Sequence, residues 1–369
     1  MLHLPEDRAG VLPAQWLEKA IGSDVITSEK YKIPDANVQP ASLDLRLGEQ
    51  AHRLRCSFLP DQASVEDKLA DYGMETLDLR DGAILERNRP YLIPLIEGLA
   101  LPSGLRARAN PKSSTGRLDI FTRVITDHSY RFDDIEPGYS GQLWIEVVSR
   151  SFTIRVRTGL SLNQLRLAAG DVRCTDADIH ALHGVSPLLY EDDKAVPADR
   201  LAVSNGLFLS LDLVGDSEGQ VGYRAKKNSH LLDLGELDAY DAVDFWEPVR
   251  SERGNRVVLE PEEFYLLLSR EGVRVPPSYA AEMTAYDPTS GELRTHYAGF
   301  FDPGFGHPGG SRAALEVRAH DVPFMIEHDQ PVCKVSFEPM LDEPTALYGE
   351  GSHYQFQTGT LSKHFRRPA

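Results

Sequence analysis

The chain has 369 residues, enough for about two domains of roughly 150 residues each. Its 39 lysines and arginines against 56 aspartates and glutamates give a net charge of −17, which excludes broad binding to nucleic acid or to an anionic membrane, since both need a positive face. Hydrophobic residues make up 41% and charged residues 26% of the chain, so general disorder is excluded as well.

The start of the chain and its cysteines predict the compartment. The first ten residues contain acidic side chains and lack the basic-then-apolar pattern of a signal peptide, and no apolar run approaches the ~18 residues of a membrane span. Cys56, Cys174 and Cys333 lie more than a hundred residues apart and form no CxxC, so neither a disulfide framework nor a cysteine zinc site is expected. We therefore expect a cytoplasmic protein.

Short apolar segments lie between evenly spread glycines and prolines, which predicts a mainly β protein with few short helices. A helix is predicted over 13–21, with Pro13 near its first turn. Strands are predicted, in chain order, at 42–47, 91–95, 143–148 and 264–268.

The second half of the sequence repeats the first. Five segments match in the same order with an offset that drifts between 166 and 174 residues: Tyr91 with Tyr265 and Gly98–Pro102 with Gly272–Pro276 (174), Ser42–Asp44 with Ser210–Asp212 (168), Pro137–Gly138 with Pro303–Gly304 (166), and Leu143–Glu146 with Ala313–Glu316 (170). Ordered matches of this kind predict two tandem copies of one β fold. Proline and charge replace the apolar pattern near 193–202, so we place copy one at 1–195 and copy two at 196–369.

The segment Asn110–Arg117 (NPKSSTGR) is the densest candidate site. Two adjacent hydroxyls, a lysine and an arginine within six residues can donate hydrogen bonds to phosphate oxygens. A polar turn between two strands is the alternative reading of the same residues.

The segment Glu136–Glu146 predicts a Pro-Gly turn that leads into a strand. Alternation along that strand places Glu146 on one face with Trp144 and Val148. A carboxylate among apolar side chains suits proton transfer, whereas a glutamate facing solvent would be structural. The glutamate retained at Glu316 in copy two favours a functional role.

Two further features are less specific. Gln164, in a strand that follows the turn at Arg157–Gly159, can pair with the edge of a base or cap a sheet edge. His180 and His183 form an HxxH pair, but neither a helix nor a third ligand is predicted there. The H-x-E and P-C-x-x-C signature of zinc deaminases is absent from the sequence.

Together, these segments resemble the dCTP deaminase branch of the dUTPase-related family over most of the chain. The segments that carry the resemblance are Trp16–Leu17, Gln39–Gly48, Ser113–Arg117 (the family's Ser-Ser-x-x-Arg), Pro137–Glu146, Arg157–Leu165, Tyr348 and the tail His353–Gly359.

The resemblance implies a distorted β-barrel or jelly-roll fold in a homo-oligomer, with a trimer favoured and sites between neighbouring copies. It implies a hydrolase that deaminates dCTP at a cyclic amidine C–N bond without zinc, yielding dUTP and ammonia for pyrimidine deoxynucleotide supply. Mg²⁺ would accompany the triphosphate, and dTTP would be a candidate inhibitor.

The resemblance also assigns roles to residues. Glu146 would move the proton, Ser113 would hold the attacking water and Arg117 would orient the site. The substrate contacts would be Lys112, Ser114, Thr126, Asp127, Glu136, Gln164, Tyr348, His353 and Gln357, and the counterparts in copy two would be Glu316, Ala298 and Asp302. No residue is expected to bind a metal.

Three alternatives stay open. Thr126 and Asp127 occupy the place where these deaminases usually have alanine, which keeps a dUTPase or a bifunctional deaminase-diphosphatase in consideration. Copy two lacks the arginine of the Ser-Ser-x-x-Arg motif, so a nucleotide sensor without activity is a second alternative. We expect the complete site in copy one, unless each site mixes residues of both copies.

Overall fold

The computed structural model describes residues 2–5, 8–285, 293–296, 299–319, 321–349 and 359–366, with the backbone alone for 285 and 293–296. Contacts within the chain divide it into two units. The first unit comprises Met1–Val172, Ser229–Leu237 and Met340–Ala346, and the second comprises Arg173–Asn228, Asp238–Pro339 and Leu347–Ala369. No helix in the described part of the chain is both long and apolar enough to cross a membrane.

The helices are short, as the sequence predicts. They are α1 (Ala14–Gly22), α2 (Val65–Tyr72), α3 (Ser113–Gly116), α4 (Asp176–Val185) and α5 (Ala242–Phe245), with two 3-10 turns at Asp35–Asn37 and Ala198–Arg200. Helix α1 confirms the predicted first helix: it begins directly after Pro13 and buries Leu17 and Ala20.

Among the described residues, thirteen strands lie before residue 172, in the first unit. They are β1 (Gly10–Val11), β2 (Ile26–Thr27), β3 (Leu43–Arg46), β4 (Gln50–Leu54), β5 (Gly73–Asp78), β6 (Ala83–Leu85), β7 (Tyr91–Ala100), β8 (Leu105–Pro111), β9 (Ile120–Ile125), β10 (Asp134–Ile135), β11 (Ser140–Ser149), β12 (Ile154–Val156) and β13 (Ser161–Ala169). One sheet has the order β1-β13-β8-β10 with β3 also on β13, and a second has the order β5-β4-β7-β11-β9 with β2 also on β7.

Fourteen strands follow in the part of the chain that the structure describes. They are β14 (Leu189–Glu191), β15 (Lys194–Ala195), β16 (Leu207–Ser210), β17 (Gln220–Ala225), β18 (Leu232–Asp233), β19 (Trp246–Arg250), β20 (Arg256–Leu259), β21 (Phe264–Val273), β22 (Tyr279–Ala285), β23 (Leu293–His296), β24 (Phe300–Phe301), β25 (Ser311–Ala319), β26 (Phe324–Glu327) and β27 (Pro331–Pro339). In the second unit β16-β27-β22-β24 form one sheet, and β15-β14-β21-β17-β19 form another, in which β25 pairs with β21 and β23. Strand β18 belongs to the first unit and pairs with β12, which also pairs with β6.

The strand register confirms the duplication. Glu146 of β11 lies opposite Leu92 of β7, and Glu316 of β25 lies opposite Leu266 of β21. The Pro-Gly turns that precede β11 and β25 also correspond, because Gly138 and Gly304 both have a positive φ, of 82° and 88°. The predicted mainly β, tandem-duplicated fold is thus confirmed.

One of the five sequence matches is wrong by four residues. The Ser-Leu-Asp segments that begin at Ser42 and Ser210 do not correspond. The isolated bridge between Leu47 and Leu95 is repeated between Leu211 and Ser269, so the true offset here is 211 − 47 = 164 residues. Register is set by the hydrogen bonds between strands and by which face is buried, and a three-residue identity outside that register carries no structural information.

The contacts place the first boundary between Val172 and Arg173, 195 − 172 = 23 residues before the position predicted from composition. The intervening segment contains α4, and its apolar side chains Ile179, Leu182, Leu188, Leu189 and Val196 belong to the hydrophobic core of the second unit. Proline and charge at 193–202 therefore mark surface turns within that unit and not the junction.

The three cysteines are free and differ in burial: Cys56 is exposed, Cys174 is half-buried and Cys333 is buried. Burial raises the pKa of the Cys174 thiol to about 11 and raises that of Cys333 further. Since the thiolate is the reactive form, we expect Ellman's reagent at pH 8 to label Cys56 rapidly in the folded protein and the other two only after unfolding. Rapid labelling of two or three thiols in the folded protein, followed by mass spectrometry, would contradict this order.

Candidate active site

The Ser-Ser-x-x-Arg segment forms a short helix at the end of a buried strand. Strand β8 ends at Pro111, Lys112 is extended, and α3 starts at Ser113. Arg117 follows the helix, is 2% exposed, and its Nε donates a hydrogen bond to Ser113 Oγ at 3.1 Å. The structure thus joins two of the three predicted catalytic residues by a hydrogen bond. Ser114, which lies between them in the sequence, is buried.

A polar cluster lies beside this helix on the neighbouring strands. Gln164 of β13 lies between Asp44 of β3 and Asn110 of β8 in the register. Lys112 Nζ forms an ion pair with the Asp44 carboxylate, and these side chains are 21% and 10% exposed. Asp44 was not among the predicted contacts, although a carboxylate between Leu43 and Leu45 was a usable signal.

The second unit does not repeat this cluster at its equivalent positions. Phe208 of β16 lies opposite Lys334 of β27, where the first unit has Asp44 opposite Gln164. The Lys334 ammonium lies over the Phe208 ring, 4.9 Å from its centroid. An acid–amide pair that can accept and donate hydrogen bonds is thus replaced by a cation on an aromatic ring.

Glu146 is enclosed between two neighbouring strands. It is 0% exposed on β11 and lies opposite Leu92 of β7 and Arg123 of β9. Arg123 Nε donates to Glu146 Oε1 at 3.1 Å, and Arg123 Nη2 donates to the same oxygen. The other oxygen, Oε2, is buried and has no hydrogen-bond partner among the described residues.

Arg123 is itself restrained from several sides. Its guanidinium lies 3.9 Å from the Phe132 ring centroid and 4.7 Å from that of Phe121, and its Nη2 donates to Ser57 Oγ at 2.9 Å. An adjacent apolar cluster consists of Leu54, Val65, Leu92, Ile125 and Trp144, with Phe58, Leu69 and Phe132 packed against it. From the sequence, Arg123 was not a candidate catalytic residue, because its pairing with Glu146 is not visible in any local pattern.

The residues of the hairpin between β9 and β11 have structural partners. Asp127 Oδ1 accepts a hydrogen bond from the Val65 backbone N–H at 2.7 Å, at the start of α2, and His128 N–H donates to the Ala63 carbonyl at 3.1 Å. Thr126 is buried, and Glu136 is exposed in the turn before β11. The hairpin thus anchors α2, and Asp127 binds the backbone at a helix start.

The predicted positions in the second unit are partly described. Glu316 lies opposite Leu266 and His296 in the register and is 6% exposed, and Asp302 is 7% exposed. Tyr348 N–H donates to the Pro303 carbonyl at 2.7 Å. Ala298, His353 and Gln357 lie outside the described residues.

The HxxH pair lies on a helix, α4, which the sequence did not predict. His180 is exposed, whereas His183 is buried, with Nε2 bonded to the Val196 carbonyl at 2.7 Å and Nδ1 accepting from Leu188 N–H at 3.1 Å. Both ring nitrogens of His183 are therefore occupied by backbone. Within the described ranges no group of three or more His, Cys, Asp or Glu side chains could hold a metal ion.

The predicted catalytic residues form two separate parts. One part is the Ser113–Arg117 pair, and the other is Glu146 with Arg123. Hydrogen bonds and ion pairs of Glu146 within the described part of the chain go to Arg123, so the carboxylate is not bonded to Ser113 or Arg117.

Comparisons with known proteins agree along the chain. The family model for the 2'-deoxycytidine 5'-triphosphate deaminase (DCD) N-terminal domain matches residues 8–171, and that for the C-terminal domain matches residues 175–365. The chain is similar to the crystal structure of 2'-deoxycytidine 5'-triphosphate deaminase from Agrobacterium tumefaciens, with 45% identity and a TM-score of 0.85 over 90% of this chain and 100% of that chain.

Two curated relatives match a shorter part of the chain. A "dCTP deaminase, dUMP-forming" from Methanothermobacter thermautotrophicus is 29% identical over 138 residues, 37% of this chain and 67% of the relative. A "dCTP deaminase" from Halorubrum lacusprofundi is 31% identical over 155 residues, 41% of this chain and 73% of the relative. The matches thus span between about two thirds and three quarters of these relatives and less than half of this chain.

Proposed function

The chain belongs to the 2'-deoxycytidine 5'-triphosphate deaminase family, and from this premise we propose that it catalyses hydrolytic deamination of dCTP to dUTP and ammonia. The observation that carries the proposal is the state of Glu146, whose carboxylate is fully buried with Oε1 held by Arg123 and Oε2 without a partner in the described part of the chain. A buried acceptor of this kind calls for a proton donor, and the attacking water supplies one.

The proposed reaction uses one carboxylate twice. Glu146 Oε2 accepts a proton from water as the water oxygen forms a bond to C4 of the cytosine. The same carboxyl group delivers that proton to N3 as the C4–N3 double bond opens. It then moves the proton of the C4 hydroxyl to the amino nitrogen, and the exocyclic C4–N bond breaks as C4=O forms and ammonia leaves. Water is a weak nucleophile and an amide-like nitrogen is a poor leaving group, so both steps need this proton transfer.

The remaining residues bind and orient. Ser113 Oγ accepts a hydrogen bond from Arg117, which leaves the hydroxyl hydrogen of Ser113 available for the attacking water. Lys112, paired with Asp44 beside Gln164, offers donors to phosphate oxygens, and Mg²⁺ arrives with the triphosphate as part of the substrate. The following stay predictions: trimeric assembly, a cytoplasmic location, inhibition by dTTP, and contacts of the substrate with Ser114, Thr126, Glu136 and Tyr348.

The test is incubation with dCTP and Mg²⁺ in the presence of a zinc chelator, following ammonia and nucleotide products together. We expect ammonia and dUTP in equal amounts without pyrophosphate. Ammonia with dUMP and pyrophosphate would replace the proposed product, and tight binding without ammonia would favour a nucleotide sensor.

The dUMP-forming alternative is tested at Asp127, since several relatives carry that name and Asp127 was the residue that kept the alternative open. Its carboxylate binds the start of α2, so D127N, which keeps the Oδ1 acceptor and loses the charge, should lower the free energy of unfolding by about 0.3–1 kcal/mol and leave the product ratio unchanged. D71N, at an exposed position on the same helix, is the matched control for urea denaturation. A changed ratio of dUTP to dUMP in D127N alone would give Asp127 a catalytic role.

A further inference from the structure

We infer that Arg123 is a positioning residue, which fixes the Glu146 carboxylate so that Oε2 alone transfers the proton; the inference rests on the proposed function. Both Arg123 donors that reach Glu146, Nε and Nη2, bind the same oxygen, Oε1. A carboxylate held through one oxygen cannot exchange its two oxygens by rotation. The choice of oxygen is therefore made before substrate arrives.

Arg123 can hold this geometry because its own position is restrained. The two phenylalanine rings, Phe132 and Phe121, lie against the guanidinium, and Ser57 Oγ accepts from Nη2. An arginine stacked on aromatic rings has lost most of its rotational freedom on folding, so little further entropy is lost when its hydrogen bonds form.

Arg123 also balances the charge of the buried carboxylate. Apolar side chains lie on the strands around Glu146: Leu92 on β7 is opposite it, and Leu92, Ile125 on β9 and Trp144 on β11 belong to one buried cluster. The ion pair of Glu146 in the described part of the chain is with Arg123. Because an uncompensated buried charge is strongly destabilising, the ionised carboxylate at this position depends on the guanidinium.

The second unit has a different residue at the position that corresponds to Arg123. Glu316 occupies the same register as Glu146, but the residue opposite it on β23 is His296, where β9 has Arg123. The residue directly opposite a buried glutamate at this register thus differs between the two units. Arg123 is a feature of the first unit alone at this position.

The experiment compares R123Q, R123K and R123A with R131Q as the matched control, since Arg131 is an exposed arginine of the same hairpin. We expect R123Q to lower kcat by about 10- to 100-fold with KM nearly unchanged, as for a misplaced catalytic group. R123K should recover part of the loss, because it restores the charge without the planar pair of donors. Guanidinium at low millimolar concentration should raise the kcat of R123A. The kcat of R131Q should equal that of the wild type and should not change with guanidinium.

Two outcomes overturn the inference: kcat of folded R123A equal to the wild type, or a loss that guanidinium does not restore while thermal unfolding stays at the wild-type temperature. If R123A does not fold, the kcat of R123K, which retains a cation, is compared with that of the wild type instead. Failure of the proposed function has a different signature, since the wild-type protein would then release no ammonia from dCTP.

Discussion

Replacing Glu146 with glutamine is expected to lower kcat for dCTP deamination by about 10²- to 10⁴-fold, the contribution of a general acid–base group. Glutamine keeps the size of the side chain and an acceptor for Arg123, but it cannot take a proton from water at Oε2. Binding of dCTP should persist, since Lys112, the proposed phosphate donor, follows β8 and does not contact Glu146. Ammonia release and a titration with dCTP followed by fluorescence or calorimetry measure the two quantities separately.

E316Q is the matched variant, because Glu316 has the same register in the second unit and is similarly buried. With Glu146 as the proton-transferring group, E316Q should retain kcat within about threefold. The reverse result, with E316Q inactive and E146Q active, would move the chemistry to the second unit. Loss of dCTP binding together with a lower unfolding temperature in E146Q would reduce Glu146 to a structural role.

The largest expected effect on stability is at Glu97. Its carboxylate is 0% exposed, and Oε2 accepts from the Arg46 backbone N–H at 2.7 Å while Oε1 accepts from Arg46 Nε at 2.5 Å. Arg46 in turn donates to the carbonyls of Lys32 at 3.0 Å and Tyr31 at 3.1 Å, so this pair also holds the loop that follows β2. E97Q leaves the buried guanidinium without a counter-charge and should lower the free energy of unfolding by about 3–5 kcal/mol.

Urea denaturation measures this effect, with D78N as the control because Asp78 and Arg80 form an exposed ion pair. The D78N midpoint should stay close to that of the wild type, since water solvates the exposed Arg80 guanidinium once its partner charge is removed. An E97Q midpoint equal to that of D78N would show that the loop and not the ion pair limits stability. Unchanged kcat in folded E97Q would separate the structural role of Glu97 from catalysis.

Local patterns in the sequence were sufficient to predict the strands near 42–47, 91–95, 143–148 and 264–268, the first helix and the duplication. Alternation places Glu146 with Trp144 on one face whatever its neighbours, and the ordered matches at Tyr91 and Tyr265 survive because both copies keep the same strand pairing. The Ser113–Arg117 hydrogen bond also follows from short spacing, since residues four apart lie on one face of a helical turn.

The partners of the site residues were decided by the tertiary structure alone. Arg123 reaches Glu146 across 23 residues of sequence and Lys112 reaches Asp44 across 68, and each pair forms only because strand order brings the two positions side by side. The use of Asp127 at the start of α2, the junction at Val172 and the four-residue correction near Leu47 have the same origin. A sequence pattern determines which face a side chain occupies, whereas the side chain that meets it there depends on pairing between distant strands, which no local pattern specifies.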